Sequence, residues 1–180
     1  MYNLSVIAGS LRQASINKKL GLALAELGKN IFSFEFINLA DIPPYNEDLE
    51  KTLPNAVAAM KNSVRAADGV LIISPEYNRG IPGVLKNALD WGSRPYGKGC
   101  WTGKSAAVAG MSPGNAGAAV CQALLRSQFN FLGMAQMPAP EICLKYTPDF
   151  FDADGNIAAE ATRKFLNSFL ASFAEWIKKS

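Results

Sequence analysis

Short runs rich in β-branched and other apolar residues alternate along this chain with longer segments of helical period, and turn residues punctuate nearly every switch. Runs that read as strands span Asn3–Ala8, Ser33–Asn38, Gly69–Ser74, Ser105–Gly110 and Glu141–Leu144, the middle ones apolar enough to be buried on both faces. Helical segments cover Asn17–Asn30, Pro54–Ala67, Gly83–Ser93, Ala116–Leu132 and Ile157–Lys179. In the last, Phe165, Phe169, Phe173 and Trp176 recur at helical spacing beside Leu166, Leu170 and Ile177, which predicts a core-facing surface.

Five repeated βα units predict an α/β fold: a doubly wound, five-stranded parallel sheet in the flavodoxin-like order 2-1-3-4-5, with right-handed crossovers and helices on both faces. At 180 residues the chain is expected to form one domain over 1–180. Ligands of such sheets sit beyond the carboxyl ends of the strands, where the first and third strands become neighbours. The loops Leu39–Leu53 and Tyr146–Asn156 are long, carry Pro and Asp, and are expected to act as a lid or a partner contact.

Residue counts exclude several functions. Lys and Arg exceed Asp and Glu by only three, without a run of like charge, so the basic footprint of a nucleic-acid binder is missing. There is no histidine, which removes Ser-His-Asp and Cys-His hydrolases and HExxH metalloproteases. Cys100, Cys121 and Cys143 are far apart and never in a CxxC pair, so neither a disulfide framework nor a metal site is expected; inert thiols in a reducing cytoplasm are. No basic segment precedes the first apolar run, and no stretch approaches ~18 apolar residues, so neither secretion nor a membrane span is expected.

Two glycine-rich segments do not carry nucleotide chemistry. Gly99 to Ser105 has three residues between its glycines where a phosphate-binding P-loop needs four, and it precedes a strand instead of following one. Gly110 to Gly117 is not a dinucleotide fingerprint either, and the second strand ends in Ile37-Asn38 with no acid to hold a ribose. A phosphoacceptor receiver domain is excluded as well, because its strand ends must carry acids and these read Ala8-Gly9-Ser10 and Ser74-Pro75.

The segment after the first strand, Gly9 to Asn17, runs directly into a helix and has the parts of a phosphate-monoester site. Gly9 permits a sharp turn, amides of the loop and helix start face an anion, Ser10, Ser15 and Asn17 add side-chain donors, and Arg12 supplies a forked cation. A helix cap by Ser15 with a solvated Arg12 is the alternative. After the third strand, Pro75-Glu76-Tyr77-Asn78-Arg79-Gly80-Ile81-Pro82 offers an aromatic, amides and a small Gly80 to a flat heterocycle, or forms an ordinary Pro-rich turn. Lys86 and Asp90, four apart, read as a helix-surface ion pair.

At these residues the sequence resembles the NADPH-dependent FMN reductase family of flavodoxin-like proteins, and most closely its soluble NAD(P)H quinone and chromate reductase branch. The pattern G-S-x-R-x-x-S-x-N is complete in Gly9, Ser10, Arg12, Ser15 and Asn17, and P-x-Y-N-x-x-x-P-x-x-L-K-N-x-x-D-W is complete from Pro75 to Trp91. The resemblance implies FMN held through its phosphate by Ser10, Arg12, Ser15, Ile16 and Asn17. Its isoalloxazine would lie against Pro75, Glu76, Tyr77 and Asn78, with Ser112 and Gly114 alongside. It also implies a homodimer. A homotetramer stays open, because Gly117-Ala118-Ala119-Val120 and Ala123 stand where the branch often carries the arginine and aromatic that join dimers.

The activity implied is ping-pong: NADPH or NADH reduces FMN, and a small-molecule acceptor such as a quinone, chromate, an azo dye or a ferric chelate is then reduced by two electrons. No catalytic side chain or metal is expected, and protons come from water or Tyr77. The alternatives are a reductase that releases free reduced FMN and, in a different class, a flavodoxin-type electron carrier, which a net charge of +3 disfavours.

Overall fold

A computed structural model describes residues 1–180. Six parallel strands, β1 (Tyr2–Ala8), β2 (Phe32–Ile37), β3 (Gly69–Ile73), β4 (Ser105–Ser112), β5 (Ala135–Gln136) and β6 (Ile142–Lys145), alternate with α1 (Ile16–Gly28), α2 (Asn55–Ala66), α3 (Gly83–Ser93), α4 (Ala119–Leu132) and α5 (Glu160–Lys179). The sheet runs β2-β1-β3-β4-β5, the expected order. In register, Ile7 lies between Ile37 and Ile72.

The fifth position departs from expectation in being filled twice: β5 pairs with Ser105 and Ala106 at the start of β4, and β6 pairs with its end from Ala109 to Ser112. Between them the chain leaves the sheet through Pro138 and Pro140, residues that cannot donate to a ladder.

Strand residues alternate between two apolar layers, as the pleat requires. Ile7, Val70, Ile72, Ala106 and Val108 pack with α2, α3 and α4 around Trp91, Trp101 and Phe129. Leu4, Val6, Leu71, Ile73 and Ala109 pack on the other face against α1 and α5, where Leu166, Phe169, Leu170 and Phe173 are fully buried. Each such side chain contributes about 1.5–3 kcal/mol by burial. Phe165, expected on that surface, is 40% exposed, because the core stripe of α5 runs through the leucines beside it instead.

Two helix starts fall later than the periodicity suggests. Gly117 and Ala118 have φ of +55° and +67°, so the chain enters α4 only at Ala119. Ile157 bridges Phe151 in a small hairpin, and α5 begins three residues on. The loop after β2 is strapped to α3. Asn87 of α3 donates to Pro43 O at 2.9 Å and accepts from Tyr45 N at 2.8 Å, and Trp91 Nε1 donates to Pro43 O at 2.8 Å. Glu50 accepts from Tyr45 Oη and Arg94 Nε, which hold its carboxyl below its ordinary pKa. Lys86 and Asp90 form the expected ion pair at 2.6 Å. No helix is long and apolar enough to cross a membrane.

Candidate functional site

The ends of β1, β3, β4 and β6 surround a cleft of about 270 Å³. Its first wall is the loop from β1 to α1. Gly9 is there because of a close approach, not a left-handed turn: a Cβ would lie 2.7 Å from Ser74 Oγ and 3.1 Å from Leu85 Cδ2. Its N–H donates to Ile73 O at 2.9 Å, pinning the end of β1 to β3. Ser10, next in sequence, is buried, and its hydroxyl oxygen lies 3.3 Å from Arg12 N and 3.4 Å from Tyr77 Oη across the cleft.

Ser15 caps α1, its Oγ accepting from Lys18 N at 3.2 Å, so the capping alternative is realised. Capping uses an acceptor lone pair and leaves the hydroxyl proton to donate. The N–H groups of Ile16 and Asn17 have no acceptor within the chain. With the partial positive charge of the helix start, they form an anion site. The exposed Arg12 guanidinium holds its own loop through Ala14 O at 2.9 Å and keeps further N–H groups for a ligand.

Asn17 contributes differently from expectation. Its side chain is buried and engaged twice by one distant residue, Nδ2 donating to Met111 O and Oδ1 accepting from Met111 N, both at 2.9 Å. The amide therefore fastens α1 to β4, and the donor it offers the cleft is its backbone N–H.

The second wall is Pro75, Glu76 and Tyr77, from the loop after β3. This loop doubles back in a tight hairpin in which Tyr77 and Gly80 exchange backbone bonds of 2.9 and 3.2 Å. Positive φ falls on Asn78 (+51°) and Arg79 (+59°), not on Gly80, and Asn78 thus sits exposed at the tip, off the cleft lining. Glu76 is mostly buried: Oε2 accepts from Cys121 N at 3.0 Å in the first turn of α4, a helix without a side-chain cap of its own. The helix start offsets that carboxylate charge.

The third wall is Met111, Ser112 and Pro113, and Tyr146 completes the lining. Ser112 Oγ accepts from Gly114 N at 2.9 Å, so Gly114 shapes the loop from outside the lining. Ser112 O accepts from Tyr146 N at 2.8 Å, which brings the residue after β6 to the cleft. Gly117, with φ +55°, presses this loop against β6, where a Cβ would fall 2.4 Å from Cys143 C.

All expected site residues thus line one cleft except Asn78 and Gly114; Met111 and Pro113, which flank Ser112, line it with them, and Tyr146 is added. Tyr146 could have been found by extending the strand-end rule to the last strand. Nearby Cys121 is buried with Sγ 3.5 Å from Ser74 Oγ, and burial pushes its thiol up; Cys100 is pushed up to about 11 by the same cause. Neither is a nucleophile at neutral pH.

The chain matches the family model described as NADPH-dependent FMN reductase over residues 2–149. It is 44% identical over 175 residues to a 2-hydroxy-1,4-benzoquinone reductase of Burkholderia sp, covering 97% of this chain and 96% of the relative. It is 40% identical over 179 residues to a quinone reductase of Pseudomonas putida, covering 99% and 96%. Among solved structures, the flavoenzyme NAD(P)H:(acceptor) oxidoreductase FerB of Paracoccus denitrificans superposes with a TM-score of 0.96 at 41% identity, covering 99% of this chain and 98% of the other.

Proposed function

The chain belongs to the NADPH-dependent FMN reductase family, and from that premise we propose that its cleft holds FMN in an NAD(P)H-dependent quinone reductase spanning 1–180. The observation that carries the placement is the donor set of the cleft. Two unpaired helix N–H groups, the Ser10 and Ser15 hydroxyls and the Arg12 guanidinium are brought together there, in a cleft that Pro75, Tyr77, Pro113 and Tyr146 also line. That chemistry fits a phosphate joined to a flat ring.

Bound FMN supplies the two-electron chemistry, accepting hydride from a nicotinamide and passing the electrons to an acceptor. The protein binds, orients and tunes. Ser10, Arg12, Ser15, Ile16 and Asn17 hold the phosphate, and the hairpin and third wall confine the ring. The Glu76 carboxylate, directed to the start of α4, adds little negative charge to the ring's surroundings. Tyr77 Oη faces Ser10, whereas the Tyr146 hydroxyl has no partner within the chain; with solvent, it is the phenol open to an acceptor's proton demand.

Under anaerobic conditions, the FMN-loaded protein should bleach on adding NADPH or NADH and recover on adding a benzoquinone. Protein that stays oxidised with both donors points instead to an electron carrier. Arg12→Ala should raise the FMN dissociation constant about ten- to hundredfold, the worth of charge-assisted hydrogen bonds. Its riboflavin affinity should be unchanged, since riboflavin lacks the phosphate. Equal loss for both ligands would remove Arg12 from the phosphate site.

We also infer a homodimer. Val120, Leu124 and Phe131 fall on one face of α4 and are 37%, 42% and 91% exposed, and Phe131 shares a groove of about 810 Å³ with Tyr96, itself 91% exposed. This set of exposed large apolar side chains supports pairing. Light scattering should give twice the chain mass, and Phe131→Asp the single mass with an unchanged fold; a monomeric parent protein would reject the inference. Three free thiols support a reducing compartment, which we take to be the cytoplasm.

A further inference from the structure

Ser10 is a wall between two clefts. The second, of about 300 Å³, is bounded by the end of β1, the first two turns of α1 and the end of β2. Its occupant is not the FMN placed above, which lies on the other side of Ser10.

Three large apolar side chains converge on it: Leu11, Leu22 and Phe36 are 45%, 62% and 40% exposed. Phe36 sits close to α1 because Gly21 lacks a side chain; a Cβ there would lie 3.0 Å from the ring. The result is an open aromatic and aliphatic surface with one cation at its border. Lys18 forms no ion pair, and no carboxylate lines the cleft. Asn38 at the border is already committed, donating to Asp41 Oδ2 at 2.8 Å and accepting from Ala40 N at 3.0 Å.

We propose that this cleft binds the phosphorylated adenosine half of a dinucleotide whose other half reaches the first cleft, an inference that rests on the FMN reading above. A purine presents two apolar faces that suit Phe36, Leu11 and Leu22. Its phosphate suits the unpaired ammonium of Lys18. In the related dinucleotide-binding doubly wound fold, an acid at the end of the second strand hydrogen-bonds a free ribose, while a nearby cation accommodates a phosphate on it. Here β2 ends in Ile37 and Asn38, and the free charge is Lys18. Two molecules carry such a half, NADPH through its 2′-phosphate and FAD through its AMP portion.

The probes are 2′,5′-ADP, 5′-AMP and adenosine, titrated calorimetrically into FMN-loaded protein. At least one phosphorylated probe should bind about tenfold more tightly than adenosine, a charge-assisted contact being the difference. Lys18→Glu should abolish that advantage, and Leu22→Asp should weaken all three probes. Both side chains lie outside the first cleft, and an acid in the first turn of α1 is compatible with the helix.

The same variant separates the two sources. If NADPH is the occupant, Lys18→Glu raises its KM about tenfold, with kcat and the NADH KM unchanged. If FAD is the occupant, apoprotein binds FAD more tightly than FMN, and Lys18→Glu lowers FAD affinity more than FMN affinity. No binding of either phosphorylated probe, or equal binding by parent protein and Lys18→Glu, overturns the proposal. Failure of the parent protein to bind FMN would instead overturn the reading of the first cleft.

Discussion

Asn17→Leu is expected to destabilise the protein by about 3 kcal/mol and to weaken FMN binding in the protein that remains folded. Leucine has the heavy-atom branching of asparagine and leaves no cavity, so the loss is one of hydrogen bonds. What it removes is a pair of 2.9 Å bonds to Met111 N and O, contacts made in the interior. Each backbone group left buried without a partner costs about 1–3 kcal/mol. The ladder on either side of β4 does not replace them. Met111 lines the cleft, so the loosened end of β4 also carries Ser112 and Pro113 away from the ring. Chemical unfolding with and without FMN measures both effects. A loss below about 0.5 kcal/mol, the range of ordinary surface substitutions, would show that Met111 finds other partners. Asn17→Asp makes a useful companion: it keeps the acceptor for Met111 N, turns the donor into a second acceptor, and places a charge beside the anion site.

Gly117→Ala should be at least as damaging, for a steric reason. The new Cβ would fall 2.4 Å from Cys143 C and 2.6 Å from Leu144 N, backbone atoms fixed in β6. A flexible side chain could turn aside, but a strand held to β4 by its ladder cannot. Overpacking of this kind costs about 1–3 kcal/mol, and an alanine at φ +55° adds about 1–2 kcal/mol. Gly97 and Gly155 provide the control. Both have positive φ, +75° and +84°, with nothing near a Cβ, so alanine there should show only the smaller conformational penalty. If all three variants melt alike, the contact with β6 is not what requires glycine at 117. In the Gly117 variant the third wall moves as a unit, so FMN affinity should fall with stability.

The parallel order was legible because each strand is a compact apolar run set between helices of clear period, and right-handed crossovers leave few arrangements. The split fifth position was not: Ala135–Gln136 is too short to show a period, and its pairing with Ser105 and Ala106 depends on where α4 ends. The anion loop was readable from Gly9 to Asn17 because its donors are contiguous. The task of Asn17 was hidden, since its partner lies 94 residues away and either role uses the same amide. Glu76 is a similar case. Its motif position was plain, but its contact with Cys121 N exists only once α4 is folded against the loop. That Asn78 and Arg79 adopt the left-handed conformation a glycine usually supplies, with Gly80 beside them, had no sequence signal.

Each wall of the cleft is fastened to a neighbouring element by a contact that leaves the cleft's donors free: Asn17 to Met111, Glu76 to Cys121, and Gly117 against Cys143. Shape and affinity are thereby assigned to different residues. Substitutions at Ser10 or Arg12 can tune how tightly a ligand is held without altering the socket, while the fastening positions tolerate little change whatever the ligand. A lineage or a designer seeking new acceptors from this scaffold has its freedom in the first set, and the second set is what must be inherited intact.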